Sequence, residues 1–195
     1  MHVARRSLGS LATLIAIACS TTSEPPAPRA VDALLTHGPD RRYSASGFGL
    51  VDLSSVAGAT DAFFEFNAQV NRNGSVSGRF FQRRARNGLT VDFAGFVSCL
   101  TIDAALGRAR IGGVITRNSS TDPAFLTDNH EVGDDVWFRV EDGSIAGAVD
   151  ASTTYGFKPT LVNTSAEYCA LPFTGSAWNP ASTFPLRSGN ITVRP

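Results

Sequence analysis

Residues 61–100 read DAFFEFNAQV-NRNG-SVSGRFFQRRAR-NG-LTVDFAGFVSCL. In the first of the three runs, apolar side chains fall at every second position from residue 64 onward, a period that places them on one face of a β-strand. Asn73-Gly74 and Asn87-Gly88 separate the runs, and the Asn-Gly pair readily takes the positive φ angles of a tight hairpin turn. The stretch therefore predicts an antiparallel meander of three strands without helix.

The alternation also assigns side chains to faces of the predicted strands. Phe80 and Gln82 share one face of the second run, and the third run places Cys99 on the same face as Phe93 and Val97. Arginines gather near the end of this hairpin, and such a group is typical of a solvated strand edge that discourages sheet-to-sheet aggregation. They are Arg79, Arg83, Arg84 and Arg86.

Further short alternating runs lie on both sides of the meander. They predict strands within residues 43–53, 108–116, 136–142, 145–149 and 189–194, whereas residues 117–135 and 151–183 read as long loops. The apolar face of each strand needs a second layer to cover it. The chain therefore predicts an all-β fold, an antiparallel β-sandwich or flattened barrel of about 7–8 strands.

The N-terminal residues have the composition of an export signal. Arg5 and Arg6 precede an apolar run at residues 8–18 that is too short to span a bilayer as a helix. The run ends AIAC, which resembles the lipobox of bacterial lipoproteins, in which the cysteine becomes the lipidated first residue. This resemblance implies a signal peptide at residues 1–18 and lipidation of Cys19; the alternative is an ordinary cleaved signal.

Residues 19–42 are polar and rich in proline, which predicts a disordered tether after the cysteine. Residues 43–195 then form a single domain. Ser20 stands where an aspartate would favour retention at the inner membrane, so the lipobox resemblance implies an outer-membrane protein that faces the periplasm or the cell surface. Its contact with the membrane is through the N-terminal lipid.

The charge of the chain excludes one class of partner. The formal net charge is zero, and the chain without residues 1–18 carries 15 basic and 17 acidic side chains. Nucleic-acid binding depends on a strong excess of positive charge. We therefore expect no nucleic-acid partner, and the sequence leaves a protein and a glycan as alternatives.

Cys99 and Cys169 remain once Cys19 is assigned to lipid. An even number of cysteines in an exported domain favours a disulfide between them, and the alternative is two buried thiols. The bridge would close a loop of about 70 residues, for which loss of chain entropy predicts a stabilisation of roughly 4 kcal/mol.

Acidic and amide side chains gather between residues 122 and 142. Calcium takes six to eight oxygen ligands, and Asp128, Asn129, Asp134 and Asp135 are the candidate ligands, although their spacing is not that of an EF-hand. The alternative is a solvated loop. We predict no other cofactor. A zinc site needs three or four Cys, His or acidic ligands, and the domain offers one histidine, His130, which is expected to be a solvated loop residue, and two cysteines that are expected to be oxidised.

Several segments resemble a group of bacterial exported proteins of unknown function with small all-β domains. The likeness covers residues 44–193 and consists of a Phe-x-Phe strand, a Cys-Leu strand, an Ile-Gly-Gly strand and a late cysteine, at residues 64–66, 99–100, 111–113 and 169. These motifs imply a β fold, and no catalytic residue comes with them. Asp128-Asn129-His130 stands where that group often has Asp-Asn-Gly.

The sequence favours a lipid-anchored cell-envelope protein with a non-catalytic β domain that binds a ligand or has a structural role. No Gly-x-Ser-x-Gly elbow is present, and His130 is the only histidine in the predicted domain, so nucleophilic catalysis is not favoured. The alternative function is hydrolysis of an envelope polymer by paired carboxylates in the acidic loop at residues 128–142.

Overall fold

A computed structural model describes residues 43–126, 130–153, 162–178 and 182–195. These residues fold into an antiparallel barrel that closes in sequential strand order, so the all-β prediction is confirmed. The predicted signal peptide, Cys19 and the tether lie outside the described residues. The strands are β1 (Ser44–Val51), β2 (Ala62–Val70), β3 (Val76–Arg86), β4 (Leu89–Asp103), β5 (Arg108–Asn118), β6 (Asp135–Glu141), β7 (Ala151–Ser152) and β8 (Phe184–Arg194).

The predicted meander forms β2, β3 and β4. Phe66 pairs with Phe80 across the first hairpin, and Phe80 pairs with Gly95 across the second. Asn87 and Gly88 both have positive φ angles, 50° and 78°, as the tight turn between β3 and β4 requires. The Asn87-Gly88 signal therefore marks a tight turn, whereas the connection between β2 and β3 is the longer turn at residues 71–75, in which Gly74 has a positive φ angle of 79°.

Inward-facing aromatic rings fill the barrel. The Phe138 ring on β6 lies 5.4 Å from Phe66 and 6.2 Å from Phe80, both in edge-on geometry. Phe64 and Phe93 are also completely buried. Burial of each ring contributes about 1.5–3 kcal/mol before conformational entropy is subtracted, so this cluster is the main source of stability in the barrel.

The barrel closes where β1 pairs with β8. Gly49 lies opposite Gly189 at this seam, and their φ angles are 152° and 114°. A Cβ atom on Gly49 would lie 2.2 Å from the Ser188 carbonyl oxygen. The backbones of the two strands therefore approach closely here, and this allows the first and last strands to meet.

β7 has only two residues and therefore leaves amides of β8 without a strand partner. Two carboxylates accept hydrogen bonds from these amides. The Asp142 Oδ2 atom accepts a hydrogen bond from Val193 N at 3.0 Å, and the Asp150 Oδ2 atom accepts one from Ile191 N at 2.6 Å. These side chains provide acceptors that a longer strand would supply through its carbonyl groups. The short strand lies at Ala151–Ser152 and not within residues 145–149, where we expected it.

The loop after β5 covers the end of the barrel nearest Phe93. Phe125, in a 3₁₀ turn at Pro123–Phe125, packs against the core, and its ring lies 4.7 Å from that of His130. His130 also lies 5.9 Å from the Phe93 ring and is buried. The expectation of a solvated His130 was wrong, because the loop turns inward over an apolar opening.

The arginines at the end of β3 do not form a strand edge, because β3 is paired with both β2 and β4. Arg84 and Arg86 place their guanidinium groups over the Phe125 ring, at 5.3 and 5.8 Å. Arg86 also bridges to Asp122 at 3.4 Å. The solvated-edge interpretation was therefore wrong for these two side chains.

A β-bulge in β4 reverses the predicted face of Cys99. Val97 pairs with Gly113 and Cys99 with Gly112, so Ser98 is the additional residue. After the bulge Leu100 packs against the barrel core, and Cys99 points outward and forms a disulfide with Cys169. The predicted pairing of the two cysteines is confirmed, whereas the face predicted for Cys99 was wrong.

Gln82 is a polar side chain in the apolar barrel interior, as its predicted face required. It pairs with Phe64 on β2 and Phe93 on β4, it is completely buried, and neither its Oε1 nor its Nε2 atom has a hydrogen-bond partner. A buried amide without partners costs about 1–3 kcal/mol.

We expect Gln82→Met, which nearly conserves volume, to raise the free energy of unfolding by about 1–2 kcal/mol, because it removes that cost. Urea denaturation of the full chain measures the change. Gln69→Met on the exposed face of β2 is the control and should change stability by less than about 0.5 kcal/mol. A destabilised Gln82→Met variant would show that the amide is hydrogen-bonded inside the barrel.

Candidate functional site

Residues 162–178 lie across the outer faces of β5 and β6, and we call them the C-terminal cover. The cover contains helix α1 (Ser165–Cys169), which the Cys99–Cys169 disulfide ties to β4. The Ser165 amide donates a hydrogen bond to Asp135 Oδ2 at 2.8 Å. A Cβ atom on Gly112 would lie 2.6 Å from the Ser165 Cβ atom, so the glycine in β5 is what lets α1 pack this closely.

Arg110 holds the irregular part of the cover against the barrel. Its Nη2 atom donates to the carbonyl oxygens of Pro172 at 2.8 Å and Ala177 at 2.7 Å. The guanidinium lies 4.9 Å from the Tyr168 ring centroid and 5.0 Å from that of Trp178. The arginine therefore pairs carbonyl groups that have no strand partner, and it is itself completely buried.

Trp178 is the centre of a cluster of guanidinium groups under the cover. Arg108 and Arg139 stack on its ring at 4.9 and 4.8 Å, in addition to Arg110. Glu141 Oε1 accepts from Trp178 Nε1 at 2.7 Å and from Arg108 Nε at 3.1 Å. Within the described ranges Glu141 forms an ion pair with Arg108, whereas Arg110 forms no ion pair there.

Burial changes the protonation equilibria of this cluster. It lowers the pKa of Arg110 and Arg139, because the charged form loses hydration. It raises the pKa of Tyr168, and the two nearby guanidinium groups oppose that shift less strongly. Four buried polar atoms in this region have no hydrogen-bond partner among the described residues. They are Arg110 Nε, Arg110 Nη1, the Tyr168 hydroxyl and Trp137 Nε1.

The opposite side of the barrel carries exposed phenylalanines. We call the outer faces of β1–β4 the open wall. Phe48 on β1 is 59% exposed, Phe63 on β2 is 39% exposed and Phe96 on β4 is 53% exposed. Phe81 on β3 lies between them, with its ring centroid 5.9 Å from that of Phe63. Aromatic rings therefore occur on all four neighbouring strands of this wall.

Arginines stack on these rings. The Arg79 guanidinium lies 5.5 Å from the Phe96 centroid, and the Arg117 guanidinium lies 5.6 Å from that of Phe81. Arg117 also bridges to Asp92 at 3.0 Å. Arg79 has no ion pair with any residue in the described part of the chain. Its charge is therefore available to a ligand.

A shallow groove of about 580 Å³ runs between these side chains. Ala94 pairs with Phe81 on β3 and with Arg117 on β5, so a small side chain lies between two large ones and leaves room above the sheet. Polar groups complete the lining, and they are Glu65, Asn67 and Thr116. The groove thus combines aromatic faces, a free guanidinium and hydrogen-bonding side chains.

The predicted calcium ligands are only partly described, because Asp128 and Asn129 lie outside the described residues. Asp134 Oδ2 accepts from Glu131 N at 2.9 Å within its own turn, and Asp135 Oδ2 accepts from α1. No group of three or more His, Cys, Asp or Glu side chains in the described ranges is arranged to hold a metal ion. The calcium site stays a prediction.

The site that the structure presents differs from the one that the sequence indicated. The open wall and the arginine cluster were not among the candidate residues, although phenylalanines at both odd and even positions of β2 and β3 were a visible signal. Trp137 and Trp178 are both buried. No helix within the described residues is long and apolar enough to cross a membrane.

No protein-family model, curated protein or solved structure matches this chain. The class of the described domain therefore rests on its own topology, a closed antiparallel β-barrel with one disulfide-bonded outer cover. The resemblance to exported proteins of unknown function stays an expectation.

The raised pKa of Tyr168 makes the folded protein sensitive to alkaline pH. Because the folded-state pKa lies above the unfolded value of about 10, the contribution of this group to stability is full below pH 10 and is lost as pH rises through the folded pKa. We expect Tyr168 to form phenolate only on unfolding, as measured by ultraviolet difference absorbance. Tyr168→Phe should lose the phenolate absorbance that appears only on unfolding, whereas Tyr43→Phe should retain it. Persistence of that absorbance in Tyr168→Phe would contradict the assignment.

Proposed function

We propose that this chain is an exported protein of the cell envelope, anchored through lipid at Cys19, whose barrel binds an acidic polysaccharide along the open wall without catalysis. The observation that carries the binding proposal is the pairing of exposed aromatic rings with arginine. Phe96 is half exposed beneath Arg79, and Arg79 has no carboxylate partner among the described residues. A solvated barrel has no need of this arrangement for its own stability.

The lining of the groove supports a sugar ligand. A pyranose ring has an apolar C–H face and a polar rim, so it can bury one face against an aromatic side chain and hydrogen-bond along its edge. Phe81 and Phe96 offer the aromatic surfaces, and Glu65, Asn67 and Thr116 offer donors and acceptors between them. Binding sites commonly combine a largely apolar lining with a few placed polar groups.

The charge of the groove supports an acidic sugar. Guanidinium groups bind carboxylates through two parallel hydrogen bonds, which a neutral sugar cannot offer. Arg79 has both its charge and its donors available, while Arg117 shares its charge with Asp92. The exported part of the chain has a slight acidic excess, with 15 basic and 17 acidic side chains. Two guanidinium groups and one carboxylate, that of Glu65, line the groove. This small local excess of positive charge favours a ligand with spaced carboxylates over the dense phosphates of nucleic acid.

The contacts of the acidic residues support a non-catalytic role. Asp134 and Asp135 accept hydrogen bonds from backbone amides, Asp142 accepts from β8, and Glu141 is paired with Arg108 and Trp178. Each of these four carboxylates thus has a structural partner. Hydrolysis by the loop at residues 128–142 stays a prediction, and no contact of the described residues favours it.

We expect Cys19→Ala to move the protein from the membrane fraction to the soluble fraction of the bacterial envelope. The physical reason is that loss of the acyl chains removes the apolar surface that holds the protein to the bilayer. Immunoblotting of separated fractions measures the distribution, and Ser20→Ala is the matched control that should remain with the membrane. Recovery of the unmodified protein in the soluble fraction would contradict lipid anchoring.

For the open wall, we expect Phe96→Ala and Arg79→Gln each to weaken binding of polygalacturonate about tenfold, which corresponds to about 1.4 kcal/mol. Affinity electrophoresis of the full chain measures the change. Leu106→Ala and Arg72→Gln, exposed positions outside the groove, should bind like the unmodified protein.

Neutral dextran provides the control for charge, and equal retardation by dextran would contradict the requirement for an acidic sugar. Binding to vesicles with anionic lipid, lost in the same wall variants and without retardation by polygalacturonate, would assign the wall to lipid and overturn the proposal. Unfolding curves should be unchanged within about 0.5 kcal/mol in Arg79→Gln, because its guanidinium makes no ion pair with the described chain.

A further inference from the structure

The unpaired polar atoms under the C-terminal cover include more hydrogen-bond donors than acceptors. The buried polar atoms without partners there are Arg110 Nε and Nη1, Trp137 Nε1 and the Tyr168 hydroxyl. The first three can only donate hydrogen bonds, and the hydroxyl can donate as well. Random packing errors would leave donors and acceptors unpaired alike. The hydroxyl next to Arg110 can also accept, so the set contains three obligate donors and one group that can do both. This excess of donors indicates that a further acceptor belongs among them.

The Arg110 guanidinium also has no carboxylate partner among the described residues under the cover. A guanidinium stays protonated in proteins even when burial lowers its pKa, so Arg110 cannot remove the cost of its burial by losing a proton. Glu141 is committed to Arg108 and Trp178, and Asp135 accepts from α1. An unpaired buried charge is strongly destabilising. Both the hydrogen bonds and the charge therefore call for a negatively charged acceptor.

We propose that the C-terminal cover closes over a small oxyanion, a carboxylate or a phosphate, bound by Arg110 together with Trp137 and Tyr168. The Trp137 and Tyr168 rings are stacked 5.8 Å apart, and the Arg110 guanidinium lies 4.9 Å from the Tyr168 ring. Arg110 therefore joins the carbonyl groups of the cover to the anion. The site shares no residue with the lining of the groove, so it is independent of the polysaccharide proposal.

The protein offers a direct reporter of this site. Its two tryptophans are Trp137, which lies on β6 and contacts Tyr168, and Trp178, the last residue of the cover, which contacts Arg110. Titration of the dialysed full chain with phosphate or acetate, at an ionic strength held constant with chloride, should give a saturable change in tryptophan emission. Because the anion binds the folded state, the melting temperature should rise with its concentration.

Substitutions then separate binding at this site from general salt effects. Tyr168→Phe removes one donor and should weaken the anion at least threefold, and Arg110→Met should abolish the saturable change. Arg72→Gln, an exposed arginine in the turn after β2, is the matched control and should titrate like the unmodified protein. If Arg110→Met fails to fold, the Tyr168→Phe titration alone decides the result.

The anion content of the purified protein provides the second measurement. Ion chromatography of acid-denatured protein should detect near-stoichiometric phosphate or carboxylate if the anion remains bound through dialysis, and it identifies which of the two is present. Absence of a bound anion together with no saturable emission change would overturn the proposal. An unchanged half-saturation concentration in Tyr168→Phe, or an emission change of equal size in Arg110→Met or with chloride alone, would overturn it too.

Discussion

The pairing of β8 with β1 closes the sheet, and this closure decides which side chains can interact with anything outside the barrel. Gly49 and Gly189 meet at the seam with positive φ angles, and the carboxylates of Asp142 and Asp150 bond the amides of β8 that the short strand β7 leaves unpaired. A closed barrel this small is filled by its own side chains. The interior holds a phenylalanine core, so ligands and additional structure can be placed only on the outer walls.

The two outer walls differ in whether a chain segment covers them. The wall of β5 and β6 is covered by a segment with little regular structure, whose carbonyl groups would be costly to bury unpaired. Arg108 and Arg110 donate to those carbonyl groups, and the disulfide fixes α1 above Gly112. The Ser98 bulge makes the disulfide feasible, because it turns Cys99 from the core to the outside. Without it, the cysteine would face the barrel core.

Local signals of the sequence predicted the meander correctly, because Asn-Gly turns and a period of two act over neighbouring residues. Other features depend on contacts between residues that are distant in sequence, which alternation does not encode. They are the closure into a barrel, the bulge at Ser98 and the use of Asp142 as an acceptor for β8. His130 shows the same limit. Its polar loop suggested solvent, yet the apolar end of the barrel required a cover. The open wall was missed because alternation explains only one face of each strand, and Phe63, Phe81 and Phe96 lie on the other.

Both walls combine arginine with aromatic rings, and the covered wall shows what such a surface does when it has a partner. There, rings hold the guanidinium groups from both sides while the remaining donors reach oxygen atoms of the cover, as Arg110 does toward Pro172 and Ala177. On the open wall Arg79 is held over Phe96 in a similar stack, but no oxygen of the described chain completes its hydrogen bonds. Stacking lowers the entropy that the long side chain would lose on binding. Arg79 therefore lies above a groove and beside exposed rings in the same arrangement as Arg110 on the covered wall. The difference is that no chain segment of the described residues packs over Arg79 as the C-terminal cover packs over Arg110.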